Sequence, residues 1–180
     1  SLEETAYFLD LTINDNRPII VTGSQKSSED VGTDVYSNLR NSILVAASKQ
    51  AKNIGTCVVF NEKIFHAKYV KKSHSSSING FGTIGYGMLG YIDNDEVIIY
   101  QKPANTEYYV IKQKYPTVEL IYSYLGASST ILDFLLETDV EGIVLVGAGR
   151  GQVSPKMVES IEKMCKKGIK VVLTTLRPKV

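Results

Sequence analysis

The sequence of 180 residues has no tryptophan, only two cysteines, and no excess of charge of either sign, with 20 Lys and Arg against 19 Asp and Glu. The balanced charge argues against nucleic acid or an anionic membrane surface as a partner. No apolar run approaches the roughly 18 residues of a membrane-spanning helix. With 43% apolar residues, the composition is that of a globular chain with room for one full domain or two partial ones.

The two cysteines, Cys57 and Cys165, lie far apart in segments that read as a strand and a helix. They form no CxxC pair, and no histidine lies at the spacing of a zinc site. The histidines and carboxylates show no ligand spacing either, so the sequence predicts no metal site. We expect both thiols to be apolar fillers of the core.

Hydrophobic periodicity and turn residues predict an α/β fold. In the first half the expected elements are helix 1–13, strand 18–23, helix 33–52, strand 55–60, a hairpin at 63–70, loops through the Ser- and Gly-rich stretch, and an edge strand at 96–100. In the second half they are strand 118–122, helix 130–136, strand 142–146, helix 155–167 and strand 170–174. This second half is a βαβαβ unit, so its sheet is expected to be parallel.

The starts and faces of these helices follow from particular residues. Ser1 and Glu4 form a capping box, which places a helix start at residue 1. The apolar residues that share one face of helix 33–52 are Leu39, Ile43, Ala46 and Ala47. The buried stripe predicted for helix 155–167 consists of Val158, Ile161 and Cys165.

These elements divide the chain into three parts. Residues 1–102 are expected to form part of a Rossmann-like domain with a mostly parallel sheet flanked by helices, and residues 117–180 the start of a smaller βαβαβ domain. The segment 103–116 has two prolines and little periodicity, which suits a linker. Because the sequence starts on a helix cap without methionine and stops after a strand that no helix covers, we expect it to be the middle of a longer protein.

A glycine run, GAGRGQ at 147–152, follows a predicted buried strand and precedes a helix. Its amides could cradle an anion, as in dinucleotide-binding turns. It lacks, however, a GxGxxG that leads directly into the helix and an acidic residue at the end of the next strand. Three interpretations stay open: a tight turn, a nucleotide-binding turn, and a loop for another ligand.

Two lysines, Lys71 and Lys72, lie with His66 and His74 where the predicted hairpin meets the Ser-rich loop. They form either a solvated basic edge or a site in which one lysine is turned inward and desolvated, so that it takes a proton from a hydroxyl nucleophile. Composition does not choose between the two. None of the hydroxyls at the predicted strand ends has the GxSxG setting of a nucleophile elbow; these are Ser24, Ser73, Ser75, Thr174 and Thr175.

Several segments resemble, in order, the motifs of the bacterial-type L-asparaginase family. SLEETAYFLDLT resembles the helix that follows the family's HGTDT motif, with Ser1 on the last position of that motif. The next segments resemble the GAMRP-like turn (PIIVTGSQK), the DGPxNL helix (DVYSNLRNSILVAA), the VVMND and DVTKTxT segments (VVFNEKIFHAKYVKKSHSSSINGF) and the GPLGY loop (YGMLGYID). VELIYSYLGAS, EGIVLVGAGRGQVS and KVVLTTLRP resemble the start of the family's smaller C-terminal domain. The resemblance covers essentially the whole chain.

The resemblance implies an amidohydrolase that converts asparagine, and sometimes glutamine, into the acid and ammonia without a metal or an organic cofactor. Lys72 falls on the lysine that handles protons, and Ser24 on a small turn residue whose backbone lies near the substrate amide. Gln152 falls on a residue that reaches the active site of a neighbouring subunit. The parent would be a homo-oligomer, a dimer of dimers. Resemblance to the secreted or periplasmic branch favours those compartments and leaves the cytoplasm open.

The same resemblance places essential groups outside the sequence. Both threonines and the aspartate beside the second one belong upstream of Ser1, and a glutamate given across the dimer belongs downstream of Val180. We therefore expect the 180-residue chain alone to be inactive. Loops at 26–28, 35–36, 150–152 and 174–180 depart from the family pattern, which indicates changed specificity or a copy released from selection. The alternative function is a non-catalytic small-molecule-binding or assembly module on the same fold.

Overall fold

The structure is a computed structural model that describes residues 1–103, 107–112 and 114–175. The chain separates into two units, Ser1–Ile111 and Lys112–Val180, each with its own packed interior. Helices and strands alternate throughout the second unit and in the first unit up to its second strand, after which further strands follow; the predicted α/β class is confirmed. Residues 104–106 and 113 of the predicted linker, and the end of the TTLRPKV segment at 176–180, lie outside the described residues. No helix in the described ranges has the length and apolar character needed to span a bilayer.

The first unit is built on a mixed five-stranded sheet. Its helices are α1 Leu2–Thr12 and α2 Val35–Ala47, with a 3-10 turn Lys49–Ala51 after α2. Its strands are β1 Ile19–Val21, β2 Thr56–Phe60, β3 Lys63–His66, β4 Val70–Lys72, β5 Phe81–Thr83, β6 Gly90–Asp93 and β7 Glu96–Ile99. The sheet order is β1-β2-β3-β6-β7, and β4 pairs with β5 separately. β1 and β2 run parallel, whereas the other neighbours run antiparallel, so the mostly parallel sheet predicted for this part of the chain is corrected to a mixed one.

The strands after β2 differ from the predicted hairpin at 63–70. That prediction is wrong, because β3 pairs with β2 and β6 while β4 pairs with β5. The chain reverses between β2 and β3 at Asn61 and Glu62, whose φ angles of 48° and 62° suit a two-residue hairpin turn. Asn94 and Asp95, with φ angles of 43° and 72°, join β6 to β7 in the same way. The stretch predicted as loops therefore includes β5 and β6, and the predicted edge strand is confirmed as β7.

β2 lies in the middle of the first unit and is buried over its whole length. Cys57 and Val59 belong to the apolar cluster that includes α2, whereas Val58 and Phe60 belong to the cluster that includes α1. This alternation follows from the two-residue period of a strand. The two helices therefore cover opposite faces of the sheet.

α2 begins after the N-cap Asp34, one residue later than predicted, and buries a different face from the one expected. The apolar face is exposed to solvent: Leu39 is 53% and Ile43 is 60% exposed. The residues buried instead are Asn38, Asn41, Ser42 and Val45. The amide of Asn38 tolerates burial because it is hydrogen-bonded. Polar contacts, rather than apolar periodicity, decide which side of α2 faces the sheet.

The second unit is a βαβαβ arrangement with a parallel sheet in the order β10-β9-β8, as predicted. Its elements are β8 Val118–Tyr122, α3 Thr130–Leu135, β9 Gly142–Gly147, α4 Pro155–Lys167 and β10 Lys170–Thr175. Pro155 follows the N-cap Ser154, and Gly168 ends α4 with a left-handed φ of 91°. These end signals explain why the predicted bounds of α4 agree with the observed ones.

The buried stripe of α4 lies one residue away from the predicted stripe. The residues buried are Met157, Ser160 and Met164, whereas Val158 and Cys165 are exposed. The hydroxyl of Ser160 donates to the carboxylate of Asp133 in α3 at 2.5 Å, which turns this side of α4 inward. The expectation of a core thiol is thus wrong for Cys165 and confirmed for Cys57.

The two thiols are expected to differ sharply toward a disulfide-exchange reagent. Burial, and to a lesser degree the negative charge of Asp10, raises the pKa of the Cys57 thiol, so the reactive thiolate is suppressed there. A colorimetric thiol titration of the native chain should detect one fast thiol, and a titration in denaturant should detect two. A Cys165→Ser variant should show none in the native state. Fast reaction of two native thiols would contradict the burial of Cys57.

Candidate active site

A cleft of about 250 Å³ opens in the first unit where the start of α1 meets the ends of β1 and β2 and the strands β4 and β5. Its lining residues are Ser1, Leu2, Glu3, Gly23, Ser24, Gln25, Phe60, Lys72 and Phe81. The polar groups come from three separate segments of the chain, and the apolar floor comes from the core cluster next to α1. Two of the three residues singled out from the resemblance, Ser24 and Lys72, therefore lie on one cleft.

Lys72 ends β4 and reaches into the cleft wall. Its Nζ donates to Oε1 of Gln25 at 2.9 Å and lies 5.7 Å from the centre of the Phe81 ring, within the range of a cation–π contact. Its backbone N–H donates to the carboxylate of Glu3 in α1. The side chain is nevertheless exposed, so the described residues do not desolvate the ammonium as the inward interpretation requires.

Lys71 lies on a different surface from Lys72. Successive residues of a strand point to opposite sides, and Lys71 lines a shallow hollow with Glu3, Glu4 and Tyr7 of α1. Lys72, in contrast, lines the cleft. Lys71 therefore fits the solvated edge, whereas Lys72 lies at the cleft without the desolvation that the inward interpretation requires.

The turn that carries Ser24 is held from below by the start of α2. The carboxylate of Asp34 accepts the backbone N–H groups of Gln25 at 3.0 Å and Lys26 at 3.0 Å. Asn38 donates from Nδ2 to Asp34 and to the carbonyl oxygen of Gly23, both at 2.9 Å. Asp34 and Asn38 are buried, so the backbone of the turn is fixed although Ser24 itself is exposed.

Asp34 is expected to make the stability of the first unit depend on pH. Burial alone would raise the pKa of Asp34, but the hydrogen bonds from Gln25, Lys26 and Asn38 outweigh burial and lower it. A lowered pKa means that the stabilisation is complete above the unfolded-state value, about pH 4, and is lost as the pH falls through the folded-state value.

The test compares Asp34→Asn with the wild type in urea at pH 7 and at pH 3. The substitution is expected to lower the free energy of unfolding by about 1–3 kcal/mol at pH 7, as for a lost charged hydrogen-bond acceptor. The difference should shrink at pH 3. The exposed Asp93→Asn variant serves as the control and should match the wild type at both values. An equal loss at pH 7 and pH 3 would show that the charge of Asp34 is not the cause.

Gln152, the third predicted site residue, belongs to the second unit and is exposed. It closes the glycine turn after β9: its N–H donates to the carbonyl oxygen of Ala148, and its own carbonyl oxygen accepts from Ala148, both at 2.8 Å. A Cβ on Gly147 would lie 2.4 Å from the carbonyl carbon of Gly151. Backbone N–H groups that would be needed to bind an anion are thus already hydrogen-bonded to carbonyl oxygens of the turn itself. This favours the tight-turn interpretation.

Sequence analysis did not single out Gln25, Asp34 or Asn38, although all three organise the cleft. Asp34 and Asn38 lie four residues apart at a helix start, a spacing that puts both on one side of the helix. In the sequence, Asp34 and Asn38 lie on the side of the helix opposite its apolar residues, a pattern that predicts a solvent-exposed face rather than a buried one. Gln25 carries no signal of its own in the sequence.

Family models match both units of the chain. The model described as "Asparaginase, N-terminal" matches residues 1–105, and the model described as "Glutaminase/Asparaginase C-terminal domain" matches residues 117–178. The chain therefore belongs to the asparaginase family, and the resemblance stated from its motifs is confirmed.

Individual relatives agree with the family models. The chain is 48% identical over 175 residues to the L-asparaginase of Bacillus licheniformis, a match that covers 97% of this chain and 54% of that protein. It is 32% identical over 184 residues to L-asparaginase 2 of Escherichia coli strain K12, covering 99% of this chain and 53% of that protein. The chain spans about half the length of these curated relatives.

A solved structure also matches. The crystal structure of a probable cytoplasmic L-asparaginase from Campylobacter jejuni superposes with a TM-score of 0.90 at 34% sequence identity. The match covers 97% of this chain and 60% of that one. The similarity therefore extends through both units rather than resting on one motif.

Proposed function

We propose that this chain is part of an L-asparaginase-type amidohydrolase that converts asparagine and water to aspartate and ammonia, with glutamine as a second substrate. The observation that carries the proposal is the cleft of the first unit, where Ser24 and Lys72 lie together at the start of α1. Membership of the asparaginase family and the names of the relatives support the reaction.

In this proposal Lys72 handles protons and Ser24 lies beside the substrate. The ammonium of Lys72 offers a positive charge at the cleft, where it favours a deprotonated hydroxyl nearby. The backbone N–H groups after Ser24 are held in place by Asp34 and the carbonyl oxygen of Gly23 by Asn38, which preorganises the turn for a substrate amide. Gln152 contributes to the substrate shell of a neighbouring subunit in the parent enzyme. The attacking threonine comes from polypeptide that is not among these 180 residues.

The proposal also covers the domains and the subunits of the parent enzyme. Residues 1–102 and 117–180 would be parts of the two domains of the parent enzyme, joined by the linker 103–116. The parent would be a homo-oligomer, a dimer of dimers, in which Gln152 serves a neighbouring subunit. No metal or organic cofactor takes part.

An ammonia-release assay tests the proposal. The protein from the complete reading frame should release ammonia from asparagine, and more slowly from glutamine. The purified 180-residue chain should release none at matched concentration, because it lacks the nucleophile. Ammonia release from the 180-residue chain would overturn the assignment of the nucleophile, and an inactive complete protein would overturn the reaction.

The exposure of Lys72 favours a second candidate, a non-catalytic small-molecule-binding or assembly module. An ammonium has no lone pair with which to accept a proton, but it attracts a carboxylate such as that of an amino acid. Calorimetry separates the two functions. Asparagine binding to the complete protein without ammonia release would favour the module, and binding followed by release would favour the enzyme.

A further inference from the structure

We propose that Gln25 is a positioning residue that holds the ammonium of Lys72 at the cleft with one end of its amide and fastens the serine loop, residues 73–80, with the other. This inference rests on the proposed function, because it assigns Gln25 a role toward the lysine that handles protons. It concerns a residue whose side chain contacts Lys72 and the serine loop.

The side-chain amide of Gln25 makes contacts at both of its ends. Oε1 accepts from Nζ of Lys72 at 2.9 Å. Nε2 donates to the carbonyl oxygens of Ser77 at 2.9 Å and His74 at 3.4 Å. The residue is itself anchored, because its backbone N–H donates to the buried carboxylate of Asp34. One neutral side chain therefore joins the β1 turn, the end of β4 and the serine loop.

The serine loop is shaped to receive this amide. A Cβ on Gly80 would lie 2.5 Å from Nε2 of Gln25, 2.7 Å from the carbonyl oxygen of Ser77 and 2.8 Å from that of His74. Such distances leave no room for a side chain, so glycine is required for the loop to close around the amide. The backbone of the loop at Gly80 therefore has a conformation that accommodates the Gln25 amide.

The loop is also ordered within itself, so it can act as a firm support. Nδ1 of His74 accepts the N–H groups of Ser76 at 3.2 Å and Ser77 at 3.0 Å. The N–H of Ser73 donates to the carbonyl oxygen of Gly80 at 2.7 Å, which closes the loop at its base. On its outer side, Asn79 accepts from Nζ of Lys63 at 2.7 Å. Gln25 provides the contact with Lys72 on the cleft side.

An amide suits this task better than a carboxylate. Oε1 fixes the direction of the ammonium by accepting one of its three N–H groups, yet it carries no charge that would neutralise the lysine. A carboxylate at the same place would pair with the ammonium and hold its proton more firmly. A lysine that exchanges protons during a reaction therefore needs a neutral acceptor such as the amide rather than a carboxylate.

The test uses the folded 180-residue chain and two substitutions that separate the ends of the amide. Gln25→Leu removes both the acceptor and the donor, whereas Gln25→Glu keeps an acceptor for Lys72 and loses the donor to the serine loop. Competitive acetylation with mass spectrometry measures the reactivity of Lys72 relative to its neighbour Lys71. Hydrogen exchange measures the protection of the loop amides.

For Gln25→Leu we expect the acetylation rate of Lys72, relative to Lys71, to rise by about threefold or more, since the acceptor that stabilises the unreactive ammonium is gone. Gln25→Glu should leave that ratio at or below the wild-type value. Both variants should speed hydrogen exchange at residues 74–77. Gln101→Leu is the matched control, because its amide bonds the carbonyl oxygens of Tyr86 and Met88, away from the serine loop; it should change neither readout.

An unchanged ratio in Gln25→Leu, or equal ratios in the Leu and Glu variants, would overturn the role of Gln25. If Gln25→Leu fails to fold by circular dichroism, the nearly isosteric Glu variant still decides, because it must speed loop exchange without raising Lys72 reactivity. These readouts do not depend on turnover. An inactive complete protein would therefore refute the proposed function and leave the labelling result standing, and the reverse also holds.

Discussion

Replacing Lys72 by methionine is expected to lower asparagine hydrolysis by the complete enzyme about 10²- to 10⁴-fold, the range typical of a lost proton-transferring side chain. Methionine keeps much of the length and volume of lysine and can still pack against Phe81, but it has no charge and no proton. The loss should appear in kcat rather than only in KM, since the lysine is proposed to act in the chemical step.

Lys71→Met is the matched control for this experiment. It removes the same charge one residue away, from the side of β4 where Lys71 lies with Glu4 and Tyr7 outside the cleft. Activity should stay within about twofold of the wild type, because a surface charge outside the cleft contributes only a screened field. Equal losses in the two variants would show that general charge, and not the position of Lys72, matters.

Phe60→Ala should destabilise the first unit by about 3–5 kcal/mol, the usual cost of emptying a buried aromatic site. Phe60 is only 2% exposed, and its ring centre lies 4.6 Å from that of Phe81. It ends the fully buried strand β2 and forms part of the cleft floor. Removing the ring therefore weakens the sheet core and the site together.

Urea unfolding followed by hydrogen exchange at the β2 amides measures this effect without assuming that both units unfold together. Phe8→Ala, a truncation of the same size at a position that is 48% exposed, is the control and should cost under about 1 kcal/mol. A similar loss in both variants would contradict the burial of Phe60.

Prediction from sequence succeeded where local signals are strong. β8 and α4 were placed with the observed bounds, because the strand-forming residues of β8, which are Val118, Ile121 and Tyr122, and the Ser-Pro and Gly end signals of α4 are local properties. It failed for β5 and β6, which are three and four residues long and rich in glycine. Such strands are stabilised by their partners, which the local sequence does not reveal.

The faces of helices were predicted less well than their existence. α2 and α4 each contain two sets of residues with helical spacing, and only tertiary contacts choose between them. In α2 the choice falls on Asn38, which bonds Asp34 and the Gly23 carbonyl. In α4 it falls on Ser160, which bonds Asp133. A hydrophobicity pattern cannot anticipate buried polar groups whose partners lie far away in the chain.

The candidate site was reached in two ways that differ in kind. Residue chemistry alone left Lys71 and Lys72 equivalent, and the resemblance to a family selected Lys72. The supporting residues Gln25 and Asp34 were found only in three dimensions, because their roles come from contacts that reach up to 52 positions along the chain. The functional roles of Lys72, Ser24 and Gln152 stay predictions for the experiments above.

The outward apolar face of α2 has a practical consequence for handling the protein. The chain carries a net charge of only +1 at pH 7, so little electrostatic repulsion keeps molecules apart in concentrated samples. In addition, the exposed side chains of Tyr36, Leu39 and Ile43 form an apolar patch that promotes association between molecules. Glutamate at Tyr36 and Leu39, near the positive end of the helix dipole, should improve solubility for NMR or crystallisation while leaving the packed interior intact.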